Sequence, residues 1–509
     1  MSTGKGGPAQ QLERVGGVMV EKVSLVEHHD YNSKLLTVEE AAGLIKSGDT
    51  IGIPVGYNGI FLSAIAKRRH ELKDVTIVCC TPYGDPGWFR HDMGESFNVI
   101  VEIYLGPFAR QAHDERRLSF SPCTNGTQFK TYEEDRLHRR QIDFCVLQVS
   151  PPDSRGFVGL GYGIWDKRNY VKYAKRVIAE VNEDIPPAYG NAYIPLSDID
   201  YFVETSRAPL TSEEADKLLA AFPAERKPEI QSRIKDLPLH YVRMILPNIS
   251  KLSTNQVEHA LLMESPDEKS IKILEHLKTL IDDGDTIQVG TGRPGSYTAE
   301  YGVFDNANDL GIFSEMALPG LGKRIQSGIF TGKYCTLHPG KAIFASYAHM
   351  RHEERTWCYH NPLVELYDSN YVVNIPNIAK QHKMVAINNI LQVDLTGQIS
   401  AESGRKRLMM NGPGGQFEFQ LGAFISRGGK AISLLYSEGM KGESAIVPRF
   451  ESGAIVTIPR TYADIIITEW GIAKLAGKSN RERAEALINI AHPQFRDELI
   501  TEAKKIFWP

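Results

Sequence analysis

The chain has 509 residues, of which 42% are hydrophobic and 24% are charged, and its formal net charge is -4. This composition is typical of a folded protein with two or three domains and a large core, and it argues against a disordered chain. The 58 lysines and arginines nearly balance the 62 aspartates and glutamates, so there is no general basic field, and we expect no nucleic-acid partner and no membrane partner.

The first 18 residues are rich in glycine and glutamine and contain no apolar run. They predict a flexible N-terminal arm over residues 1–18 rather than a secretory signal. Elsewhere in the sequence, no uncharged apolar run approaches the roughly 18 residues that a membrane-spanning helix needs. The chain is therefore expected to lie outside the membrane.

Cysteine and histidine spacing predicts no metal site. The six cysteines include no Cys-x-x-Cys pair and are too few for a disulfide framework, which favours a reducing, cytoplasmic location. His349 and His352 have a spacing that would suit two imidazole ligands, but no carboxylate or thiol stands at ligand spacing beside them.

A segment near the start of the chain recurs in the second half. LIKSGDTIGIPVGYNG (44–59) matches LIDDGDTIQVGTGRPG (280–295), and a helical pattern precedes both copies. Each copy then continues as a turn, a short apolar strand and a glycine-rich loop. Self-similarity of this kind is the signature of a repeated structural unit.

Three further segments recur in the same order. Residues 146–161 resemble 390–403, residues 174–181 resemble 429–436, and residues 198–204 resemble 463–471. Strands rich in valine and isoleucine alternate with helical patterns throughout. We therefore predict an α/β protein with two tandem homologous open domains, whose mixed or parallel sheets are covered by helices.

The domain boundaries are placed where the repeats end. We assign the first domain to residues 19–245 and the second to residues 246–509, with the polar, helix-rich stretch 205–255 as the connector. This stretch includes a Thr-x-x-Glu capping box at residues 211–214. The C-terminal residues 480–506 predict a helix that is interrupted at Pro493, which cannot continue a hydrogen-bond ladder.

Two glycine-rich loops in the second half are candidate anion-binding sites. The first, GTGRPG, contains Gly290, Gly292 and Arg293, and the second, GPGG, contains Gly412, Gly414 and Gly415. Glycines let backbone amides approach an anion closely, and amides that point at one oxygen form an oxyanion hole. For each loop, a tight turn without a ligand is the simpler alternative.

A carboxylate follows a predicted strand between these loops. Residues 310–313 read as a buried strand, and Glu315 comes where an apolar residue would continue the pattern. In open α/β sheets, ligands collect beyond the carboxyl ends of the strands, so Glu315 is a candidate nucleophile. A helix cap or a surface ion pair is the alternative explanation.

Several other polar side chains lie in the same part of the sequence. Lys341 is a candidate phosphate contact, and His338, His360 and Asn361 are candidate donors to a carboxylate. Each of them alone has a structural role as its simpler explanation. The chain has no Gly-x-x-x-x-Gly-Lys-[Ser/Thr] loop and no Gly-x-Ser-x-Gly elbow, so P-loop nucleotide chemistry and a hydrolase triad lack support.

Taken together, these segments resemble the family I coenzyme A transferases, in particular the acetyl-CoA hydrolase/transferase and 4-hydroxybutyrate CoA-transferase group. The similarity covers nearly the whole chain from about residue 35. It rests on ordered motifs that include VSPPDSRGFVGLG, GIFSEM, TLHPGK, NPLVELYD, GPGGQFEF and TEWGIAKLAGKS.

The resemblance implies a fold and a set of roles. It implies two similar α/β domains with the active site at their interface, Glu315 as the catalytic carboxylate, and Gly290, Gly292 and the 412–415 loop as contacts of CoA and the thioester oxygen. Arg293 and Lys341 are then candidate contacts of a CoA phosphate or a carboxylate. CoA would be a substrate with no tightly bound cofactor, and the protein would form a homodimer or a larger homo-oligomer.

The sequence departs from the family pattern on the acyl side. The family commonly has Gly-Ile-Gly-Ala-Ile-Pro in the first loop and Ser-Asp-Gly after the catalytic Glu-Met, and this chain differs at both places. Pro413 also removes an amide donor from the second loop. These changes put the usual small acyl substrates in doubt, and we take Tyr57 of the first repeat and Met316 as candidate acyl-pocket residues.

The implied reaction moves CoA from an acyl-CoA to a small carboxylic acid by a ping-pong mechanism through a glutamyl-CoA thioester on Glu315. An acyl-CoA hydrolase that uses the same intermediate with water as acceptor is an alternative. A non-catalytic CoA-binding protein is a second alternative, against which the intact Glu315 and both glycine loops argue.

Overall fold

The structure is a computed structural model that describes residues 12–15, 18–21, 29–57, 59–82, 84–205, 222–236, 265–359, 361–404, 411–439 and 442–509, together with positions 213, 216, 219, 220 and 409. In these parts, each half of the chain forms a parallel sheet with helices in the connections between its strands. The predicted α/β class is confirmed.

The first half contributes an eight-stranded parallel sheet with the order β3-β13-β10-β8-β4-β5-β6-β7. Its helices are α1 (His29–Ser33), α2 (Val38–Gly43), α3 (Ile60–Lys67), α4 (Gly106–Asp114), α5 (Lys130–Glu133) and α6 (Lys167–Tyr173). The strands of this half are β1 (Leu12–Val15), β2 (Val18–Glu21), β3 (Leu35–Leu36), β4 (Thr50–Ile53), β5 (Val75–Cys80), β6 (Phe97–Glu102), β7 (Ser119–Ser121), β8 (Ile142–Val149), β9 (Phe157–Gly159), β10 (Ala174–Val181), β11 (Tyr189–Gly190), β12 (Tyr193–Pro195) and β13 (Tyr201–Glu204).

The second half contributes a nine-stranded sheet with the order β11-β17-β16-β15-β14-β18-β21-β23-β24, parallel except for β24. Helix α7 (Lys227–Asp236) lies in the connector before this half. The helices of the second half are α8 (Glu268–Lys278), α9 (Leu321–Gln326), α10 (His352–Cys358), α11 (Ser369–Val372), α12 (Ile375–Lys380), α13 (Gln416–Ile425), α14 (Asn480–Asn489) and α15 (Arg496–Phe507). The strands are β14 (Thr286–Val289), β15 (Gly311–Met316), β16 (Ala342–Ser346), β17 (Val364–Leu366), β18 (Met384–Asn389), β19 (Gln392–Asp394), β20 (Ile399–Ser400), β21 (Lys430–Leu434), β22 (Ile446–Val447), β23 (Ile465–Thr468) and β24 (Gly471–Lys474).

The two sheets repeat the same strand order, as the sequence repeats predict. The equivalent strands β4 and β14 are central and fully buried. On one side of β4 lie β5, β6 and β7, and on the same side of β14 lie β15, β16 and β17. On the other side, β8, β10 and β13 correspond to β18, β21 and β23. The strand that carries Glu315 is therefore the counterpart of β5.

One predicted equivalence is wrong in register. The sequence comparison matched the end of β8 to residues 390–394. In the structure, Phe144 of β8 lies beside Ile51 of β4, and Val385 of β18 lies beside Ile287 of β14. Strand β18 therefore takes the place of β8, and residues 392–394 form β19 of a separate three-stranded sheet. Both segments have an apolar strand pattern, so the pattern alone did not distinguish them.

Short elements cross the predicted domain limits. Strand β11, from the first half, pairs with β17 of the second sheet, where Gly190 lies opposite Leu366. Strands β1 and β2 form an antiparallel hairpin, so part of the predicted N-terminal arm pairs with residues beyond it. The predicted boundary between residues 245 and 246, the capping residues at 211 and 214, and His360 lie outside the described residues.

The two halves share one apolar core. A single buried cluster contains Leu147 and Trp165 of the first half together with Phe313 and Val373 of the second. Backbone hydrogen bonds also join the halves, and the Ile164 amide donates to the Ala345 carbonyl oxygen at 2.9 Å. Burial of each large aliphatic side chain stabilises the fold by about 1.5–3 kcal/mol, so this shared core fixes the two sheets relative to each other.

Local sequence signals account for several helix ends. Thr37 and Glu40 form a capping box at the start of α2, and Ser479 and Glu482 form another at the start of α14. A short 3-10 helix at Pro493–Phe495 separates α14 from α15, as predicted from the proline. Among the described helices, none is long and apolar enough to cross a membrane.

Candidate active site

Glu315 lies at the carboxyl end of β15, one residue before the strand ends. The strand forms because Ile312 and Phe313 pack into the core, where both are buried. Glu315 is partly buried, and its side chain reaches the junction between the two halves of the chain. The sequence-predicted nucleophile is therefore the second-last residue of β15 and not beyond it, at the carboxyl edge of the sheet, where open α/β sheets collect ligands.

Two groups from different parts of the chain hold the Glu315 carboxylate. The side-chain amide of Asn125, in the loop after β7 of the first half, donates to Glu315 Oε1 at 2.9 Å. The backbone amide of Gly415, which is the N-cap of α13, also donates to this carboxylate. Both donors favour the ionised form, and the helix N-terminus adds the favourable end of the helix dipole.

A second carboxylate, Glu418, lies beside Glu315. Glu418 is in the first turn of α13, and only 3% of its surface is exposed. Its Oε1 accepts a hydrogen bond from the Thr124 hydroxyl, and its Oε2 is buried with no hydrogen-bond partner in the described part of the chain. Thr124 and Asn125 are neighbours, so one short loop of the first half contacts both carboxylates of the second half.

The pKa values of both carboxyl groups are raised. Burial raises the pKa of Glu315 from its usual 4.5 to about 7, and the charge of Glu418 acts in the same direction, against the hydrogen bonds from Asn125 and Gly415. Burial likewise raises the pKa of Glu418 to about 7, against its hydrogen bond from Thr124. A carboxylate with such a pKa is more basic than an exposed one, and perturbed pairs of this kind cluster at functional sites.

The glycines of the 412–415 loop have different surroundings. A Cβ atom on Gly415 would collide with Glu315 Oε2 and with Val373, so only glycine brings this amide to the carboxylate. Gly414 has a φ of +59° and faces open space. Its carbonyl oxygen accepts a hydrogen bond from the backbone amide of Asn125 at 3.4 Å. Gly412 instead packs against Ile103 and Phe120 of the first half. The structure thus brings Gly415 to Glu315, places Gly414 next to Asn125, and uses Gly412 for close contact between the halves.

The 290–295 loop follows the neighbouring strand β14 and is held by Asn389. The Asn389 side chain accepts from the Gly295 amide at 2.9 Å and donates to the carbonyl oxygen of Gly292 at 3.1 Å. Gly292 has a φ of +95°, which favours glycine, and Arg293 is exposed. Gln416 donates to the Asn389 carbonyl oxygen at 3.3 Å, so this loop and the start of α13 share one anchor.

A cavity between the two halves contains the predicted acyl-pocket residues. Tyr57 and Met316 both line it, and its volume is about 80 Å³. Successive residues of a strand point to opposite faces of the sheet. Met316 therefore lines the cavity, whereas Glu315 is not among the described residues that line it. Tyr57 is 5% exposed, and its hydroxyl donates to Glu180 at 3.1 Å.

A buried lysine lines the same cavity. Lys167 is 8% exposed and donates to the Leu160 carbonyl oxygen at 2.9 Å. Burial lowers the pKa of Lys167 to about 8, and the neighbouring charge of Asp166 opposes this change. The cavity therefore combines apolar side chains with Lys167 and the carboxylate of Asp184.

The structure places Lys341 away from Glu315. Lys341 precedes the first residue of β16, which runs parallel to β15, so it lies at the amino edge of the sheet whereas Glu315 lies at the carboxyl edge. Its ammonium group forms an ion pair with Glu365 at 2.9 Å. His338 accepts or donates a hydrogen bond with Tyr371 at 2.8 Å. Neither side chain is brought to the Glu315 carboxylate.

The described residues show no cluster of histidine, cysteine, aspartate or glutamate that could hold a metal ion. His349, one of the two histidines with a suitable spacing, contacts the Met316 sulfur atom. The chemistry that this arrangement can perform is carried by Glu315: nucleophilic attack or proton transfer by a partly buried carboxylate with a raised pKa.

Sequence reasoning missed three residues that contact or neighbour Glu315. Asn125 and Thr124 belong to a Thr-Asn-Gly-Thr segment that is typical of a turn, and they are distant from Glu315 in the chain. Glu418 gave a usable signal, because a glutamate stands between Phe417 and Phe419 where a helix buries its apolar face. A charged residue on a buried helix face is rare unless it is paired or functional.

Two similar α/β sheets with an activated carboxylate at their junction are typical of an enzyme that uses a carboxylate as nucleophile. Comparison with known proteins identifies the family. Residues 19–211 match the acetyl-CoA hydrolase/transferase N-terminal domain, and residues 353–503 match the acetyl-CoA hydrolase/transferase C-terminal domain. The chain therefore belongs to the acetyl-CoA hydrolase/transferase family, and it is a CoA-transferase.

Individual relatives cover almost the whole chain. The 4-hydroxybutyrate coenzyme A transferase of Clostridium kluyveri is 33% identical over 94% of this chain and 99% of its own. The succinyl-CoA:cyclohexane-1-carboxylate CoA transferase of Geobacter metallireducens is 30% identical over 94% and 96%, respectively. Among solved structures, RipA from Yersinia pestis is similar with a TM-score of 0.76 and 27% identity, over 94% of this chain and 99% of that one.

Proposed function

We propose that this protein transfers CoA from an acyl-CoA to a free carboxylic acid through a glutamyl-CoA thioester on Glu315. The observation that supports this most directly is the Glu315 carboxylate itself, which is held by Asn125 of one half and the Gly415 amide of the other. A nucleophile must be fixed within a few tenths of an ångström for efficient attack, and these two donors supply that constraint.

The reaction has two half-reactions. The Glu315 carboxylate attacks the acyl-CoA carbonyl carbon, a C–O bond forms, and the C–S bond breaks to release CoA thiolate and leave a mixed anhydride. The thiolate then attacks the glutamyl carbonyl, which expels the free acid and leaves glutamyl-CoA. An incoming acid reverses these steps, so the thioester energy is retained and neither ATP nor a metal ion takes part. Covalent catalysis of this type gives ping-pong kinetics.

The 412–415 loop is proposed to stabilise the oxyanion that develops during these attacks. Pro413 has no amide donor, so Gly414 and Gly415 are the donors that this loop offers. The Gly415 amide already faces the Glu315 carboxylate at the N-terminus of α13, where it would remain beside the glutamyl carbonyl oxygen after acylation. One such donor is typically worth about 100–1,000-fold in turnover.

The remaining parts of the site are assigned to substrate binding. Gly290, Gly292 and Arg293 are proposed to contact CoA from the loop after β14, with Arg293 against a phosphate. Tyr57 and Met316 are proposed to face the acyl group, because both line the cavity between the two halves and Met316 follows Glu315 directly in the chain. Lys341 is left out, since it pairs with Glu365 at the other edge of the sheet.

Three properties of the whole protein belong to the same proposal. CoA acts as a substrate, and the protein needs no tightly bound cofactor. The two CoA-transferase halves act in the cytoplasm. The chain assembles as a homodimer or a larger homo-oligomer.

An exchange assay tests the proposed function. The purified protein is incubated with acetyl-CoA and butyrate, and the formation of butyryl-CoA is followed at varied concentrations of both substrates. The proposal predicts parallel lines in a double-reciprocal plot and no exchange by Glu315→Gln. Release of free CoA without an acceptor, as fast as exchange, would favour the hydrolase. Binding of CoA with no turnover would favour a non-catalytic protein.

A further inference from the structure

We propose that Glu418 is a positioning residue that keeps a proton while Glu315 is ionised. The pair of carboxyl groups then carries one negative charge and not two. The inference deepens the proposed function and rests on it for the role of Glu315. It begins from the position of two carboxyl groups at one buried junction, only one of which the transfer reaction uses.

The surroundings of Glu418 favour a neutral carboxyl group. Glu418 is 3% exposed, and its Oε2 has no hydrogen-bond partner in the described part of the chain. An ionised oxygen buried without a partner is strongly destabilising, whereas a carboxyl group that carries a proton is tolerated there. Within the described residues, no lysine, arginine or histidine forms an ion pair with Glu418.

The loop of the first half treats the two carboxyl groups differently. Asn125 gives Glu315 an amide donor at 2.9 Å, and Gly415 adds a backbone amide, so Glu315 has two donors that favour its charge. Glu418 accepts from the Thr124 hydroxyl and from its own backbone amide, but its Oε2 is left without a hydrogen-bond partner in the described part of the chain. Since two neighbouring carboxylates cannot both ionise without repulsion, we infer that the proton goes to the group with the unpartnered oxygen, which is Glu418.

The other titratable groups near Glu418 do not change this distribution. Glu315 faces it from β15, and Cys123 faces it from the loop after β7. Burial raises the pKa of the Cys123 thiol, so this group stays neutral. Gly126 of the same loop passes close to the Glu418 carboxyl group, where a Cβ atom would lie 3.1 Å from Oε1.

A proton on Glu418 is compatible with every step of the transfer. The attack of the Glu315 carboxylate on a thioester makes an anhydride and a thiolate, and no proton is taken up or released. Glu418 can therefore stay protonated throughout and keep Glu315 free of like-charge repulsion. Ionisation of Glu418 would add a negative charge next to the departing thiolate, which would slow the reaction at high pH.

The test is the pH profile of kcat/KM for acyl-CoA exchange by Glu418→Gln. Native enzyme should show an acid limb, where Glu315 is protonated, and an alkaline limb, where Glu418 loses its proton; both limbs report the coupled pair. Glutamine imitates the protonated group, so the variant should retain activity within about threefold at neutral pH. Its alkaline limb should disappear, and its acid limb should stay where it is, because Glu418 carries no charge over the pH range in which Glu315 titrates.

Two comparisons make the result specific. Thr124→Val removes a hydrogen bond that lowers the pKa of Glu418, so the alkaline limb should move to higher pH. Glu402→Gln is the matched control, because Glu402 is also a buried glutamate with a raised pKa and a threonine donor, Thr457, at 2.9 Å. It should leave both limbs where they are.

An infrared spectrum separates this proposal from the proposed function. The native protein without substrate should show the band of a protonated carboxyl group at neutral pH, and Glu418→Gln should lose it, whether or not any transfer activity exists. An unchanged spectrum and an unchanged pH profile would overturn the proposal. A Glu418→Gln protein that folds but loses more than about 100-fold in kcat/KM at every pH would also overturn it, since an ionised Glu418 would then be required.

Discussion

Removal of the Asn125 side chain should shift the pH at which the enzyme becomes active. Asn125 is 3% exposed and donates to Glu315 at 2.9 Å across the junction of the two halves. Its hydrogen bond favours the ionised carboxylate, so Asn125→Ala should raise the pKa of Glu315. Activity depends on the ionised form, which is present above this pKa and is lost as the pH falls through it.

The magnitude follows from the strength of the bond. A hydrogen bond to a charged group contributes about 1.5–3 kcal/mol, which corresponds to about one to two pKa units. The pKa of Glu315 is raised to about 7 in the native protein. At pH 7, the ionised fraction would then fall from about one half to between roughly one tenth and one hundredth, and kcat/KM would fall about 5–50-fold.

The assay is exchange between acetyl-CoA and butyrate from pH 5.5 to pH 9, with kcat/KM as the measured quantity. The acid limb should move up by about one to two pH units. Asn370→Ala is the matched control, because Asn370 also donates a side-chain amide across the two halves, to Glu133 at 2.9 Å, and does not contact Glu315. An acid limb that stays in place, or an equal loss at every pH, would refute the assignment of Asn125 to charge stabilisation.

Three further changes have expected outcomes. Gly415→Ala brings a methyl group against Glu315 without backbone strain, so turnover should fall by roughly 100-fold. Gly94→Ala, whose methyl group meets open space at an ordinary negative φ, should leave turnover unchanged. Tyr57→Ala enlarges the cavity, so the ratio of kcat/KM for a bulky acid over that for acetate should rise about 10-fold, while the KM for acetyl-CoA changes little. Glu315→Gln should raise the free energy of unfolding by about 1–3 kcal/mol at pH 8, measured in a denaturant titration. The reason is that the raised pKa of Glu315 makes its ionised form unfavourable in the folded protein. The gain should vanish near pH 4.5.

The repeated architecture was readable from the sequence because the two copies keep the same turn chemistry. Gly48 and Gly284 lie in the turns just before the equivalent strands β4 and β14, and both have a positive φ, of 86° and 77°, respectively. Glycine is the residue that adopts this conformation without strain, so both repeats have a glycine at the same position of the turn. For β8 only an apolar pattern was available. The sequence comparison therefore matched β8 to residues three positions beyond those of β18 that occupy the equivalent place in the structure.

Glu315 was predictable because it breaks a local pattern, and its partners were not because they depend on distant contacts. Asn125 and Glu315 are separated by 190 residues, and Thr124 and Glu418 by 294. No local periodicity records which loop of one domain meets which helix of the other. Only the packing of the two sheets onto one core brings these four side chains together.

The direction of strands explains the outcome for the other predicted contacts. Lys341 lies near β16 in sequence, but it precedes that strand and therefore occupies the amino edge of the parallel sheet. Gly412 is in the correct loop, yet its missing side chain admits Ile103 of the first half and not a ligand. A residue list without strand directions treats both as site residues, although of the 412–415 glycines it is Gly415 that contacts Glu315.

In the proposed reaction, Glu315 becomes covalently loaded with CoA. The direct measurement is mass spectrometry of the protein after incubation with acetyl-CoA and no acceptor acid, followed by proteolysis, with Glu315→Gln as control. The account predicts a CoA adduct on the peptide that contains Glu315, its loss on addition of butyrate with formation of butyryl-CoA, and no adduct in the variant. An adduct on a different residue, or full exchange activity in the Glu315→Gln protein, would contradict it.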